Sequence, residues 1–283
     1  RLGTEEVPAE LLRDVKLKSA GNPLYVEEYL LALRDANVVR VERHGDEVRA
    51  VFQPETQKVS LPRSLRGIVA SRLRRVPVAA KEALHVAAVI GGRFHDVMVA
   101  HVTGWSLDET TEHLEDLVSR GLLVRAGARE YGFAHGLLPE VLRDELPVDG
   151  LKELHGAVGR AFEEVYPDHL DDLAERLAHH HKEAGNRSRA IDFLVRAVHR
   201  LESEQALGGA IAFLRRALEM LAQDTVARAQ ADRDRTLELY RRLGDLCVRA
   251  RELQQGLELM EAALDVAEGL GRDELVARFS LLR

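Results

Sequence analysis

Apolar positions recur at helical spacing over most of the chain. Leu24, Tyr25, Tyr29, Leu30 and Leu33 form one face of a helix, and residues 5–35 read as two helices broken at Gly21-Asn22-Pro23. Asn22 suits an N-cap and Pro23 the first helical position. Glu27 and Glu28 follow in the early turns, where the helix dipole favours acids. The period then changes. Val38-Val39-Arg40-Val41 and Val48-Arg49-Ala50-Val51-Phe52 have strand character and flank Arg43-His44-Gly45-Asp46, which predicts a β-hairpin turning at Gly45.

Residues 61–149 read as several helices followed by a second hairpin. Pro62 opens a helix through about Arg75, and Pro77 opens one through Ile90 that stops at Gly91-Gly92. A short helix is expected at 96–102. Ser106-Leu107-Asp108-Glu109 is a capping box for another, with Leu107, Thr110, Leu114, Leu117 and Val118 on its core side and Gly121 at its end. Leu122–Arg125 and Tyr131–Phe133 then pair as a small hairpin. This order predicts a winged helix, with Leu65, Leu73, Leu84, Ala88, Leu114, Leu117 and Phe133 buried.

From residue 150 onward the pattern is helical throughout, with helices near 151–165, 170–184, 188–204, 207–222, 231–250 and 253–269. Two segments share a register. Leu177-Ala178 and His181 precede Ala190, Leu194 and Ala197, while Leu243-Gly244 and Cys247 precede Gly256, Met260 and Ala263. In both, the small residue recurs 12 positions on, then 4, then 3, and the registers lie 66 residues apart, near two repeats of about 34. Ala210, Leu214 and Ala217 supply an intermediate helix. Small residues let paired helices approach closely, so the pattern predicts tetratricopeptide (TPR)-like stacking. The expected architecture is therefore mainly α: lid helices with a small β-hairpin over 1–60, a winged-helix domain over 61–149, and a TPR-like α-solenoid over 150–283.

Composition narrows the chemistry. Across 283 residues, 40 basic and 47 acidic side chains give a net charge of −7, which disfavours whole-chain attraction to nucleic acid or anionic membrane. No apolar run approaches the roughly 20 residues of a membrane span. The single cysteine, Cys247, allows no internal disulfide, and a reducing, cytoplasmic setting is expected. None of the six lysines follows a glycine, so no phosphate-binding loop is present, and neither a metalloprotease helix nor a Gly-x-Ser-x-Gly elbow occurs. No catalytic residue and no metal site is assigned. His179-His180-His181 is read as a solvated helix end with one imidazole packed inward, because successive helical residues turn by about 100° and cannot converge on one ion. The helix before the wing carries Asp108, Glu109, Glu112, Glu115 and Asp116 against Arg120, so direct DNA readout is not expected. The basic 62–75 helix, with Arg63, Arg66, Arg72, Arg74 and Arg75, reads as a surface stripe or a contact with an acidic neighbour. Both ends read as cut from a longer protein.

Four runs in order carry a resemblance: Gly21-Asn22-Pro23-Leu24-Tyr25-Val26-Glu27-Glu28; Leu61-Pro62-Arg63-Ser64-Leu65 with Ala70-Ser71-Arg72-Leu73; Ala87-Ala88-Val89-Ile90-Gly91; and Phe133-Ala134-His135. Over about residues 5–149 the chain resembles the C-terminal half of a STAND ATPase. These are AAA-related signal-transduction NTPases, as in LuxR-type, MalT-like and cyclase- or kinase-linked bacterial regulators. The resemblance implies ATP/ADP as cofactor, with magnesium and phosphate ligands on an upstream nucleotide-binding domain. It further implies a protein partner or inducer on the TPR-like region, and oligomerisation on activation. It places Gly21, Asn22 and Pro23 beside the adenine base and His135 against the β-phosphate of ADP, where the family's Met-His-Asp motif becomes Ala134-His135-Gly136. The alternatives are a non-enzymatic TPR adaptor, or a transcription regulator whose DNA-binding domain lies outside these residues.

Overall fold

A computed structural model describes residues 8–19, 21–36, 38–44, 47–52, 64–222, 230–251, 258 and 261. The described residues are mainly helical, with two small antiparallel sheets. Backbone proximity divides the chain into two units, residues 1–151 and 152–283.

The first unit opens with α1 (Ala9–Ser19) and α2 (Pro23–Asp35), separated where the sequence places the break. Asn22 Oδ1 accepts the Tyr25 N–H at 3.2 Å and Pro23 occupies the first turn, so the start of α2 is set by a side-chain cap and a preset φ. β1 (Val39–His44) pairs with β2 (Glu47–Phe52), from Val39 opposite Phe52 to His44 opposite Glu47; Gly45 lies outside the described residues. Tyr25, Tyr29, Ala32 and Leu33 of α2 share one core with Leu11, Val39 and Ile68. Glu27 and Glu28 fall beyond the first turn, so the macrodipole is not what holds them there.

Next come α3 (Leu65–Leu73), α4 (Val78–Ile90), β3 (Arg93–His95), α5 (Asp96–Thr103), α6 (Leu107–Ser119), β4 (Leu123–Arg125), β5 (Glu130–Phe133) and α7 (Leu137–Glu145). α3 is shorter than expected. Ser64 caps it, its Oγ accepting the Gly67 N–H at 3.1 Å, while Pro62 and Arg63 lie outside the described residues. Ser106 caps α6 in the same way through Glu109 N–H. At its other end Gly121, with φ of +69°, lets Leu122 N–H reach the Leu117 carbonyl and its own N–H reach that of Val118, the paired bonds of a Schellman close. β3 was not foreseen. It pairs with β5, and β5 with β4, giving a three-stranded sheet in the order β3-β5-β4. α4 packs against α5, α6 and α7. Leu73, Leu84, Ala88, Leu114 and Leu117 are buried, whereas Leu65 and Phe133 are only half-buried.

The second unit is a succession of helices: α8 (Val148–Val165), a single turn at Pro167–His169, α9 (Ala174–Glu183), α10 (Arg187–Ser203), α11 (Leu207–Ala222) and α12 (Gln230–Arg249). From α9 onward each packs on the next, as in a solenoid. Leu177, Ala178, His181, Ala190, Leu194, Ala197, Ala210, Leu214, Ala217, Leu243, Gly244 and Cys247, the positions of the shared register, are all buried. Gly256, Met260 and Ala263, and the helix expected at 253–269, lie outside the described residues.

Candidate functional site

α2 ties both sequence-nominated elements to one structure. Gly21, Asn22 and Pro23 are exposed at its N-terminus, where Gly21 takes a φ of +82° to make the turn from α1. About 7.5 Å further along the axis, five residues at 1.5 Å each, Glu28 points inward from the same helix. Its side chain is 1% exposed and receives two partners. Arg72 Nη1 of α3 donates to Glu28 Oε2 at 2.6 Å, and His135 Nε2, between β5 and α7, lies 2.8 Å from Glu28 Oε1.

Arg72 is equally buried and completes the network. Its Nε donates to Asp35 Oδ2 at 3.1 Å and its Nη2 to the Arg120 carbonyl at the end of α6 at 2.7 Å. Four parts of the unit, α2, α3, α6 and the β5–α7 junction, thus meet on one carboxylate–guanidinium pair. Of the basic residues in the 62–75 segment, Arg72 is not on a surface stripe; it meets two acidic neighbours.

Burial alone would push the Glu28 carboxyl up. The hydrogen bond from His135 and the charge and hydrogen bond of Arg72 outweigh that and hold it below the usual carboxylate range. An ionised carboxylate only accepts, so the His135 nitrogen facing it carries the hydrogen. Its Nδ1 is buried and without a partner among the described residues. His135 does not cap α7: Gly136 holds the N-cap position and no side chain bonds there. A side chain at Gly136 would meet nothing within 4 Å, so packing does not account for the absence of an acid at this position. No hydrogen bond joins His135 to Gly21, Asn22 or Pro23 among the described residues; what they share is α2.

Glu28 was the residue missed. The sequence signal was an acid on the apolar side of an amphipathic helix, between Tyr25 and Tyr29, both buried. Tyr29 has a polar connection of its own. Its hydroxyl donates to Asp14 Oδ2 at 2.5 Å and accepts from Lys18 at 2.5 Å. Burial first, then the bond to Asp14, pushes its pKa up to about 12.

Both arginines of the β4–β5 hairpin are ion-paired. Arg125 pairs with Glu115 of α6 and Arg129 with Asp96 of α5. The histidine tract of α9 turns two rings inward rather than one. His180 meets His155 of α8, and His181 stacks on Phe193 of α10 while bonding Glu163 at 2.8 Å. Among the described residues no group of His, Cys, Asp and Glu could hold a metal ion, and no helix is long and apolar enough to cross a membrane.

A family model described as a domain of unknown function (DUF8739) matches residues 1–47. Comparison with curated proteins gives no match. Among solved structures, the chain is similar to a signal transduction ATPase with numerous domains (STAND) protein with a tetratricopeptide repeat sensor from Pyrococcus horikoshii, at 12% identity and a TM-score of 0.35. The match covers 97% of this chain and 53% of the other, so the chain spans about half the length of that protein.

Proposed function

We propose that this chain is the regulatory part of a nucleotide-switched STAND-type ATPase: a lid segment, a winged helix, and a TPR-like region that receives a protein partner or inducer. The observation that carries the reading is the Glu28–His135 contact. It attaches the residue nominated to sense phosphate to the helix whose first turn is nominated to sit beside adenine. The order of α4, β3, α5, α6, β4 and β5, with the sheet order β3-β5-β4, supports the winged helix.

The residues fit a nucleotide at two points only. Gly21, Asn22 and Pro23 offer an exposed helix start, and His135 offers the unpartnered Nδ1, which, with Nε2–H on Glu28, donates to a phosphate oxygen when the ring carries a second hydrogen as the imidazolium. Phosphate-loop and magnesium ligands belong, in this reading, to a nucleotide-binding domain outside these residues. ATP or ADP supplies the phosphate charge that distinguishes two states; the chain's own groups orient the response. Glu28 fixes the His135 ring, and Arg72 fixes Glu28 against α3 and the end of α6. A change of partner at His135 therefore acts on α2 and on α6 through two buried side chains, which is the differential contact a switch needs.

Calorimetric titration tests this. The chain alone should show negligible affinity for magnesium-ADP. Joined to its nucleotide-binding domain, His135→Ala should weaken ADP binding roughly ten- to hundredfold, the value of one hydrogen bond to a charged group, about 1.5–3 kcal/mol. ATP should be affected less. A folded His135→Ala protein with unchanged ADP affinity would overturn the assignment.

A further inference from the structure

We propose that the cleft between α8 and the α9–α10 turn binds a short zwitterionic peptide of dipeptide length. This rests on the reading that the helical-repeat unit receives a partner or inducer, and it names the site and the ligand chemistry.

The cleft has a volume of about 630 Å³, within the range of small-ligand pockets. Glu153, Gly156 and Arg160 of α8 line it, and their i, i+3, i+7 spacing puts them on one face of that helix. Ala184 at the end of α9 and Asn186 and Arg189 at the start of α10 close it from the other side.

Gly156 shapes the floor. Glycine inside a helix is less stable than alanine, and close packing does not require it here. A Cβ would stand 3.5 Å from Ala184 Cβ and 3.6 Å from Arg160 Nη1, both ordinary contact distances. Both of those neighbours line the cleft, so the added methyl would occupy its floor. The glycine keeps the cleft open while weakening the helix, which is the exchange expected at a binding site.

The charges in the cleft are used unequally. Glu163 is taken by Arg189 and by His181, whose Nε2 lies 2.8 Å from its Oε1. Lys152 and Glu164 have interactions of their own. Arg160 and Glu153 are exposed, and neither has an ion pair among the described residues. Asn186 Oδ1 accepts the Arg189 N–H, which leaves the amide N–H2 to donate. Arg160 and Asn186 thus offer donors to a carboxylate, and Glu153 offers an acceptor to an ammonium group. A simple anion would be repelled by Glu153 and a simple cation by Arg160, so the ligand carries both signs.

The same two side chains set its length. Arg160 Nη1 lies beside Gly156, and Glu153 is three residues earlier, about 4.5 Å along the axis. Helical side chains lean toward the N-terminus, which widens the gap. A free amino acid holds its charges about one residue apart, roughly 3.3 Å, and an extended dipeptide about twice that. The dipeptide spans the gap, and the remaining volume takes its side chains.

Isothermal calorimetry on the full chain tests the proposal with dialanine, alanine, and dialanine blocked as its N-acetyl amide, each at up to about 10 mM so that millimolar affinity is readable. Dialanine should bind saturably, with alanine and the blocked form at least about fivefold weaker, the upper range for one exposed ion pair. Arg160→Ala and Glu153→Ala should each weaken dialanine binding by about fivefold. Gly156→Ala should weaken it about tenfold, the effect of one misplaced methyl in a pocket, while raising the urea midpoint. A glycine with only a structural role would not produce those opposite signs. Wild-type affinity in Gly156→Ala, equal binding of the blocked form, or no saturable heat from dialanine would each overturn the site. Equal binding of alanine would overturn the dipeptide assignment. The nucleotide titrations above depend on His135 and judge the switch separately.

Discussion

Glu28 Oε1 and His135 Nε2 lie 2.8 Å apart although 107 residues separate them, and both side chains are removed from solvent. The contact is sustained by Arg72, which faces Glu28 from the other side. Replacing Glu28 with Ala leaves the Arg72 guanidinium buried with only Asp35 and the Arg120 carbonyl. Breaking a buried pair from one side costs about 3–5 kcal/mol, and the remaining partners place this case near the lower end. Urea denaturation of Glu28→Ala should show a loss near that size, with Glu28→Gln losing less because it still accepts. A loss for Glu28→Ala within the range of an exposed substitution would mean that the network is not holding the unit together.

The facing imidazoles of His155 and His180 make a second, pH-dependent claim. Their Nδ1 atoms lie 3.1 Å apart, so one nitrogen must donate and the other accept. Burial, then the charges of His155, His179, Arg176 and His181, push the His180 pKa down to about 3. The Arg176 guanidinium lies over the Phe162 ring beside it, and Glu163 bonds to His181. A folded pKa below the unfolded value of about 6.5 means that the neutral form is the one the fold accepts. Stability is therefore complete above that value and is lost as pH falls toward 3. At pH near 5 the loss from this group alone is about 2 kcal/mol. His181, lowered by burial despite its bond to Glu163, adds a loss of the same sign, whereas Glu28 and Glu163, both held below the usual carboxylate range, begin to lose their own contribution only as pH falls through the unfolded value of about 4.5. Amide exchange in α9 and α10 should accelerate between neutral pH and pH near 5, and a His155→Phe, His180→Phe double variant should flatten the dependence. An unchanged pH profile in the double variant would remove the pair from the account.

What the chain reveals before folding is local chemistry. Asn22-Pro23 and Ser106 start helices because the cap and its N–H partner are three residues apart. The buried small positions of the repeat were legible for the same reason, since they recur at fixed offsets. The partners of Glu28 were not legible, because they lie 44 and 107 residues away and no periodicity links them. β3 is three residues long and becomes a strand only because β5 is there to pair with it. The sequence predicts one inward ring in His179-His180-His181. Two turn inward because α9 has neighbours on two sides, His155 and Gly159 of α8 on one and Phe193 of α10 on the other.

The pairing of the arginines in the β4–β5 hairpin predicts the absence of an interaction. Arg125 and Arg129 are committed to Glu115 and Asp96, and Glu112 on α6 is exposed. A duplex phosphate backbone would have to break these pairs and approach an acidic helix. Gel retardation with duplex DNA at physiological salt should show no complex. A complex of micromolar affinity that weakens steeply with salt would reverse the conclusion.

Two glycines of α8 separate helix propensity from packing. Gly to Ala within a helix stabilises by about 0.5–1 kcal/mol when the new methyl has room. At Gly156 a Cβ would meet Ala184 Cβ at 3.5 Å and Arg160 Nη1 at 3.6 Å, ordinary contact distances, so Gly156→Ala should stabilise by about that propensity gain. At Gly159 a Cβ would meet His181 Cε1 at 3.3 Å and Nε2 at 3.4 Å, which requires the imidazole to yield. His181 cannot yield freely. Its ring is stacked on Phe193 at an interplanar angle of 3° and its Nε2 is bonded to Glu163, which also takes Arg189. Displacing it stretches a hydrogen bond to an ionised group, worth about 1.5–3 kcal/mol, and this outweighs the propensity term. Gly159→Ala should therefore destabilise the second unit while Gly156→Ala, one turn earlier on the same helix, stabilises it. Urea midpoints for the two variants, read by amide exchange in α9, give the sign directly. If both substitutions stabilise the unit, the packing of His181 between α8 and α10 is looser than its contacts state.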